Sequence, residues 1–310
     1  MKIVRFKAAG KVRYGVIEGT HVVEYAGTPF GGFRRGRKRY PLRQTVLLVP
    51  VVPSKIVAVG LNYRDHAEEM HLPLPAEPRI FLKPPSALCG PDDPIIYPPQ
   101  SSRVDFEGEL AVVMKKRCRN VAPERVREHI LGFTCLNDVT ARDLQSRHAM
   151  PSRAKAFDTF CPVGPCIATD IDPNGVEIET FLNGERRQGS STKNLLFSVE
   201  DLVARVAAVM PPLPGHNIAT ATPAGVGPMN PGDKVEVRIE GIGALANPVI
   251  RLCPCARPER PPLASDKIFL EDVRFYGHHG VSRAQQEVGA WFSVDAEMTL
   301  DVGPAAASDD

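Results

Sequence analysis

Asp105, Glu107 and Glu109 stand at every second position of VDFEGELAVVM (104–114), a stretch otherwise patterned as a buried strand. Residues i, i+2 and i+4 of a strand share a face. Three carboxylates would then crowd one side, while Phe106, Gly108, Leu110 and Val112 take the other. Crowded carboxylates repel each other and resist removal from water. A hard divalent cation relieves both costs, because oxygen ligands suit Mg2+, Mn2+ or Ca2+. An amphipathic edge strand with a wet acidic face would show the same spacing, so the pattern leaves both readings open.

Four other segments set polar residues in apolar surroundings. NYRDHAEEM (62–70) places His66 and Glu69 at i, i+3, on one face of a short helix. A carboxylate beside an imidazole fixes its tautomer and raises its basicity, as a water-activating base requires. An incidental pair on a surface helix would look the same. TCLNDVTARDLQ (134–145) puts Asp138 after an apolar strand, as a third metal ligand or a helix N-cap, with Arg142 and Gln145 following. RAKAFDTFCPVGP (153–165) carries Lys155 ahead of a strand; most lysines in such places are simply solvated. ATATPAGVGPMNPGD (219–233) is a Thr/Gly/Pro loop whose N–H groups and hydroxyls suit an anionic group. It is no Walker loop, and no G-x-G-x-x-G joins a strand to a helix, so nothing indicates a nucleotide site.

The elements that position these residues are short. Residues 2–7, 11–17 and 21–25 read as strands separated by turns at Gly10 and Gly19-Thr20. A loop follows over 27–42, where Arg34, Arg35, Arg37, Lys38 and Arg39 read as a solvated basic run. Ile56–Val59 is a buried strand. Helices are expected over 122–132, between Pro123 and a stop at Gly132, and over 198–210, capped by Ser198 and ended by prolines. Residues 234–243 alternate as a strand after a turn at 230–233. Thirty prolines and 25 glycines argue against an all-helical fold. A hydrophobic content of 43% with net charge +2 indicates a globular chain and no nucleic-acid partner. Seven irregularly spaced cysteines make no disulfide framework, and Cys253 and Cys255 lack zinc-finger spacing. Reduced thiols and a cytoplasmic setting are expected. No signal peptide opens the chain and no run is long enough for a membrane span.

VGLNYRDHAEEM, FLKPPSAL, DFEGELAVVM, NDVTARDLQ, RAKAFDTFCPVGP, FLNGERRQG and TPAGVGPMNPGD, in that order, resemble the fumarylacetoacetate hydrolase family. The resemblance covers roughly 53–252. It implies an α+β fold: a β-rich mixed rolled sheet around the site (53–252) behind a small N-terminal β unit (1–52). It implies that Glu107, Glu109 and Asp138 bind Mg2+ or Mn2+. His66 and Glu69 match a base dyad on a lid helix that orders over substrate, and Lys155 matches a lysine beside the metal. Lys83, Arg142, Gln145 and Thr222 fall where the family contacts substrate or braces the site. Asp105 receives no ligand role. A homodimer acting on a small 2-oxo acid is implied as well. The family commonly reads T-G-T-P where this chain has Thr220-Ala221-Thr222-Pro223; if that glycine needs positive φ, Ala221 is strained. Pro151 stands where near relatives carry Trp.

Three carboxylates leave about three of six octahedral positions open on Mg2+. A chelated 2-oxo acid fits there, with Lewis-acid stabilisation of the enolate formed as its C3–C4 bond breaks. His66 and Glu69 then activate a water in the hydrolytic version, with Lys155 stabilising developing charge. Without water attack, the same enolate serves decarboxylation of oxaloacetate-like acids or isomerisation of hydroxymuconate-type diacids. After a Pro-rich linker (253–265), residues 265–310 resemble the start of dihydroneopterin aldolase. Gln285 stands at that family's pterin-binding glutamate position, with Glu287 two residues on. Its later active-site residues are missing, so no aldolase activity is expected of this segment, whose hairpin pairs 266–276 with 290–301; packing on a neighbour, a truncated fusion and a gene fragment all remain open readings of it. The alternative is a folate-pathway protein with a pterin-binding tail.

Overall fold

The computed structural model describes residues 1–147, 151–252, 266–277 and 290–300. The chain divides into two compact units, Met1–Leu252 and Cys253–Asp310. In the first, β1 (Lys2–Ala8), β2 (Lys11–Glu18) and β3 (His21–Thr28) form the expected antiparallel meander. The basic run then departs from expectation: Gly31–Pro41 is a strand, β4, paired with β3, and no loop spans 27–42. Ladder hydrogen bonds hold it, and its cations stay wet because it is the outermost strand of its sheet. A short β5 (Val46–Leu48) pairs with β1.

The body opens with β6 (Ile56–Gly60), α1 (Arg64–Glu69), β7 (Arg79–Lys83), β8 (Leu88–Cys89) and β9 (Ile95–Ile96). The acidic stretch is two strands, β10 (Val104–Phe106) and β11 (Gly108–Met114), broken at Glu107. Pro123–His129 is a 3-10 helix and not the expected α-helix over 122–132. Only Val126 in it is buried, so no apolar stripe stabilises an α-helix there. Gly132 is no stop; it lies inside β12 (Ile130–Asn137). β13 (Thr140–Ala141), α2 (Arg142–Arg147), α3 (Ser152–Lys155), β14 (Cys161–Ala168), β15 (Glu177–Leu182) and β16 (Glu185–Ser191) follow. In α4 (Val199–Val209) the Ser198 hydroxyl accepts the Asp201 N–H, and Val199, Leu202, Val203, Val206 and Ala207 form the buried face. β17 (Asn217–Ala219), β18 (Gly227–Met229), β19 (Lys234–Ile239) and β20 (Gly243–Ile250) end the unit; a turn thus divides the strand expected over 234–243.

Twelve strands share one sheet, ordered β4-β3-β2-β1-β14-β12-β11-β17-β6-β7, with β5 beside β1 and β8 beside β14. A five-stranded sheet runs β16-β15-β19-β20-β9, and a small one runs β13-β10-β18. The β17/β6, β14/β8 and β20/β9 pairs are parallel and the other pairs antiparallel, so the fold is the mixed, β-rich α+β architecture expected. The central strands are buried on both faces. Ile56, Ala58 and Ala111 join one apolar cluster, while Val57, Leu110 and Val112 join another. Lys83, Glu107, Glu109 and Asp138, which are buried charged side chains, sit at or next to strand ends and breaks, which is where the site forms.

In the second unit β21 (Asp266–Gly277) pairs antiparallel with β22 (Ala290–Leu300), the hairpin expected from the sequence. The linker at 253–265, Gln285 and Glu287 lie outside the described residues. Among the described residues no helix is long and apolar enough to cross a membrane. Among the described residues Cys89, Cys118, Cys135, Cys161 and Cys166 are free and buried.

Candidate metal centre

The crossing from β10 to β11 runs beside the crossing from β12 to β13. Asn137 Oδ1 accepts the Glu107 N–H at 2.9 Å, and the Asp138 N–H donates to the Glu107 carbonyl at 2.8 Å. These bonds set Glu107 and Asp138 side by side, and Glu109 follows on β11. One carboxylate oxygen from each of Glu107, Glu109 and Asp138 lies within 4.8 Å of the others, and all three residues are buried. Asp138 is no helix cap, since α2 begins four residues later. Asp105, which the spacing alone placed with the glutamates, does not join them. The break at Glu107 ends the alternation, and Asp105 is held by Arg103 (2.9 and 3.1 Å) and by Arg142 Nε (2.9 Å).

Cations brace the cluster. Lys155 Nζ donates to Glu107 Oε2 at 2.8 Å, Asp138 Oδ2 at 2.6 Å and Thr140 Oγ1 at 2.8 Å. Lys83, fully buried, donates to Asp138 Oδ1 at 2.5 Å. Arg142 donates to Glu107 and, through Nη1, to Gln145 Oε1 at 2.6 Å. Burial works to raise the Glu107 carboxyl, but Lys155 and Arg142 outweigh it and hold the group down at about 2. Burial also works to lower the Lys155 ammonium, and Asp138 and Glu107 reverse that and lift it above its ordinary range. Glu109 is pushed well above the usual carboxylate range, by burial first and then by Asp138 and Glu107. Its hydrogen bond comes from a neutral donor, the Ala221 N–H at 2.8 Å. Three buried carboxylates, one of them beside two anions and with no ion pair of its own among the described residues, form an all-oxygen donor set that fits a hard divalent cation.

The loop after β17 supplies that amide from a strained residue. Ala221 has φ +76°, the left-handed conformation the T-G-T-P comparison anticipated. Thr222 is buried; its hydroxyl donates to the Gly108 carbonyl at 2.9 Å and accepts from Gln188 Nε2 at 2.8 Å. His66 Nδ1 lies 3.0 Å from Glu69 Oε2, and Glu69 Oε1 accepts the Gly225 N–H at 3.0 Å. The structure thus gathers Lys83, Glu107, Glu109, Asp138, Arg142, Gln145 and Lys155 into one network. It ties the His66–Glu69 pair to the loop that carries Ala221 and Thr222. Sequence reasoning missed Asn137, Thr140 and Gln188. Each lies within a matched segment, but as a neutral side chain it gave no charge pattern to notice.

Residues 55–250 match the family described as fumarylacetoacetate (FAA) hydrolase, C-terminal, and residues 1–50 match the one described as Rv2993c-like, N-terminal. A 5-carboxymethyl-2-hydroxymuconate delta-isomerase from Mycobacterium smegmatis is 44% identical, with a TM-score of 0.77 over 81% of this chain and 100% of that one. Human mitochondrial oxaloacetate tautomerase FAHD2A is 40% identical over 68% of this chain and 71% of its own length. A maleylpyruvate hydrolase from Sphingobium sp. SYK-6, solved with manganese(II) ion and pyruvate, is 32% identical, with a TM-score of 0.68 over 81% of this chain and 99% of that one. The resemblance of residues 265–310 to dihydroneopterin aldolase gains no support from these comparisons. A match that runs through the β-rich body and takes in every residue of the carboxylate network makes this chain a member of the fumarylacetoacetate hydrolase family.

Proposed function

We propose that the protein is a divalent-metal-dependent hydrolase that cleaves a C–C bond in acylpyruvate-type 2-oxo acids. The observation carrying this reading is the convergence of Glu107, Glu109 and Asp138, three buried carboxylates within 4.8 Å. They would hold Mg2+ or Mn2+, which when bound supplies Lewis acidity toward the carboxylate and keto oxygens of a 2-oxo acid. The other roles belong to the chain. Lys83, Lys155 and Arg142 fix the carboxylate oxygens in place. All three Lys155 donors are occupied, so it acts on developing negative charge through space and not by a direct hydrogen bond. Glu69 accepts from Nδ1–H of His66, which leaves Nε2 as the basic nitrogen. Nε2 takes a proton from water, the water oxygen adds to the distal carbonyl carbon, and the C3–C4 bond breaks with its electron pair going to the pyruvate fragment.

Isomerisation of a hydroxymuconate-type diacid, or tautomerisation of an oxaloacetate-like acid, is a second reading. The relatives at 44% and 40% identity carry isomerase and tautomerase names. Here His66 Nε2 would move a proton within one substrate, with no water addition. Turnover of an acylpyruvate, a hydroxymuconate-type diacid and oxaloacetate by the full chain with Mn2+ separates the readings. Pyruvate with a free carboxylic acid marks hydrolysis; an isomer with no fragment marks the second reading. Activity that survives both a chelator and Glu107→Ala would overturn both.

A further inference from the structure

Gly108 sits between two of the three carboxylates, and both of its peptide groups are held by side chains from elsewhere. Its N–H donates to Gln188 Oε1 at 3.0 Å, and its carbonyl accepts from Thr222 Oγ1 at 2.9 Å. Gln188 closes the ring, its Nε2 donating to Thr222 Oγ1 at 2.8 Å and to the Pro223 carbonyl at 2.9 Å. Gln188 is buried, and the approach is so close that a Cβ on Gly108 would lie 2.2 Å from Thr180 Oγ1 and 3.3 Å from Gln188 Oε1. The loop is also pressed on β16 at the residue before Gln188: a Cβ on Gly225 would meet the Arg187 carbonyl at 2.2 Å. That same Gly225 donates its N–H to Glu69.

Two residues along β16, on the same face as Gln188, stands Ser190. Its hydroxyl donates to Asp65 Oδ2 in the first turn of α1, and Asp65 Oδ1 accepts the His66 N–H at 2.8 Å. Asn194 Nδ2 donates to the same hydroxyl at 3.0 Å. One face of one strand therefore holds the carboxylate-bearing break through Gln188 and the base-bearing helix through Ser190.

We propose that β16 sets the register between the carboxylate cluster and the His66–Glu69 pair, with Gln188 and Ser190 as separate positioning residues. This rests on the reading of Glu107, Glu109 and Asp138 as a cation site. Neither residue touches the reacting atoms, and each acts through one half of the site. Gln188 sets the spacing of Glu107 and Glu109 and the seat of Thr222. Ser190 sets where α1 carries His66.

The two roles separate in binding and exchange measurements on the full chain. Gln188→Met is expected to weaken Mn2+ affinity by about tenfold, read by electron paramagnetic resonance of free Mn2+, as loss of a partner behind metal ligands commonly does. Ser190→Ala is expected to leave Mn2+ affinity within about twofold and to speed amide exchange in residues 64–70 by about tenfold, with Ser190→Thr restoring protection. Equal loss of Mn2+ affinity in both variants, or no change of exchange in Ser190→Ala, would overturn the assignment. So would wild-type Mn2+ affinity in Gln188→Met. If Glu107→Ala binds Mn2+ as the wild type does, the cation site itself is wrong, an outcome distinct from failure of the β16 roles.

Discussion

At the scale of single residues, the site is a balance of buried charges in which one member, Glu109, leans on a backbone amide. That amide belongs to Ala221, whose left-handed φ of +76° is unfavourable for a residue with a Cβ. Ala221→Gly relieves this strain, less the entropy glycine adds to the unfolded chain. The expected gain is up to about 1 kcal/mol, seen as a higher urea midpoint at unchanged slope; a lower midpoint would show that the alanine is not strained. Lys155→Met acts in the opposite direction. It strips a cation from Glu107 and Asp138, both buried, at a cost of about 3–5 kcal/mol. Added Mn2+ is expected to recover more of the melting temperature in this variant than in the wild type, since an ion replaces part of the missing positive charge. A variant as stable as wild type without metal would refute the brace. The acidic spacing made Glu107 and Glu109 visible in the sequence, but it also nominated Asp105. Only the strand break at Glu107 and the pairing of Asp105 with Arg103 and Arg142 separate them.

Among elements, those with a buried stripe were readable and those held by backbone bonds were not. The apolar spacing and Ser198 cap of α4 predict the helix found, and Ser198→Ala is expected to cost about 1 kcal/mol by denaturant titration. An unchanged midpoint would mean that the cap is idle. By contrast β4 has hardly a buried side chain, so its pattern carried no strand signal even though its ladder with β3 is complete enough to extend the sheet. The 3-10 turn at Pro123–His129 shows the same limit, because its proline and charges suited a helix that no apolar face supports. The turn entering β17 adds a pH dependence. His216 is buried, its Nδ1 accepting the Leu213 N–H at 3.1 Å and its Nε2 lying 2.8 Å from Ser54 Oγ. Burial, with a smaller push from Lys55, lowers its pKa below the ordinary 6.5. The folded state thus favours neutral imidazole, and this contribution is complete above about pH 6.5 and fades as pH falls below it. The melting temperature is expected to drop through that range, and His216→Gln to flatten this part of the profile; an identical profile in the variant would discard the assignment.

For the whole molecule, the division at Leu252 makes a further prediction. The unit Met1–Leu252 contains the complete carboxylate network and the three apolar clusters found among the described residues. A chain ending at Leu252 is expected to fold cooperatively and to bind Mn2+ as the full chain does, measured by calorimetry; loss of either property would show that residues 253–310 are needed. Family membership was legible because seven short segments kept their order along the chain. What binds them into one site was not, since Gln188 and Ser190 are neutral residues in a polar hairpin, and the Thr222 and Asp65 side chains they hold lie 34 and 125 positions away in sequence.

The outermost strand has a bearing on how the protein behaves in solution. An edge as long as Gly31–Pro41 offers its open backbone to another copy, which is how sheets grow end to end into fibrils. Arg34, Arg37, Lys38 and Arg39 are exposed along it, so two such edges meet as like charges. This guard is electrostatic and therefore depends on ionic strength. The Debye length falls from about 10 Å at 0.1 M salt to about 3 Å at 1 M. Light scattering is expected to find the protein most resistant to clumping in dilute buffer and least so in concentrated salt. Salt would then remove what keeps the copies apart, and storage at low ionic strength is the practical corollary.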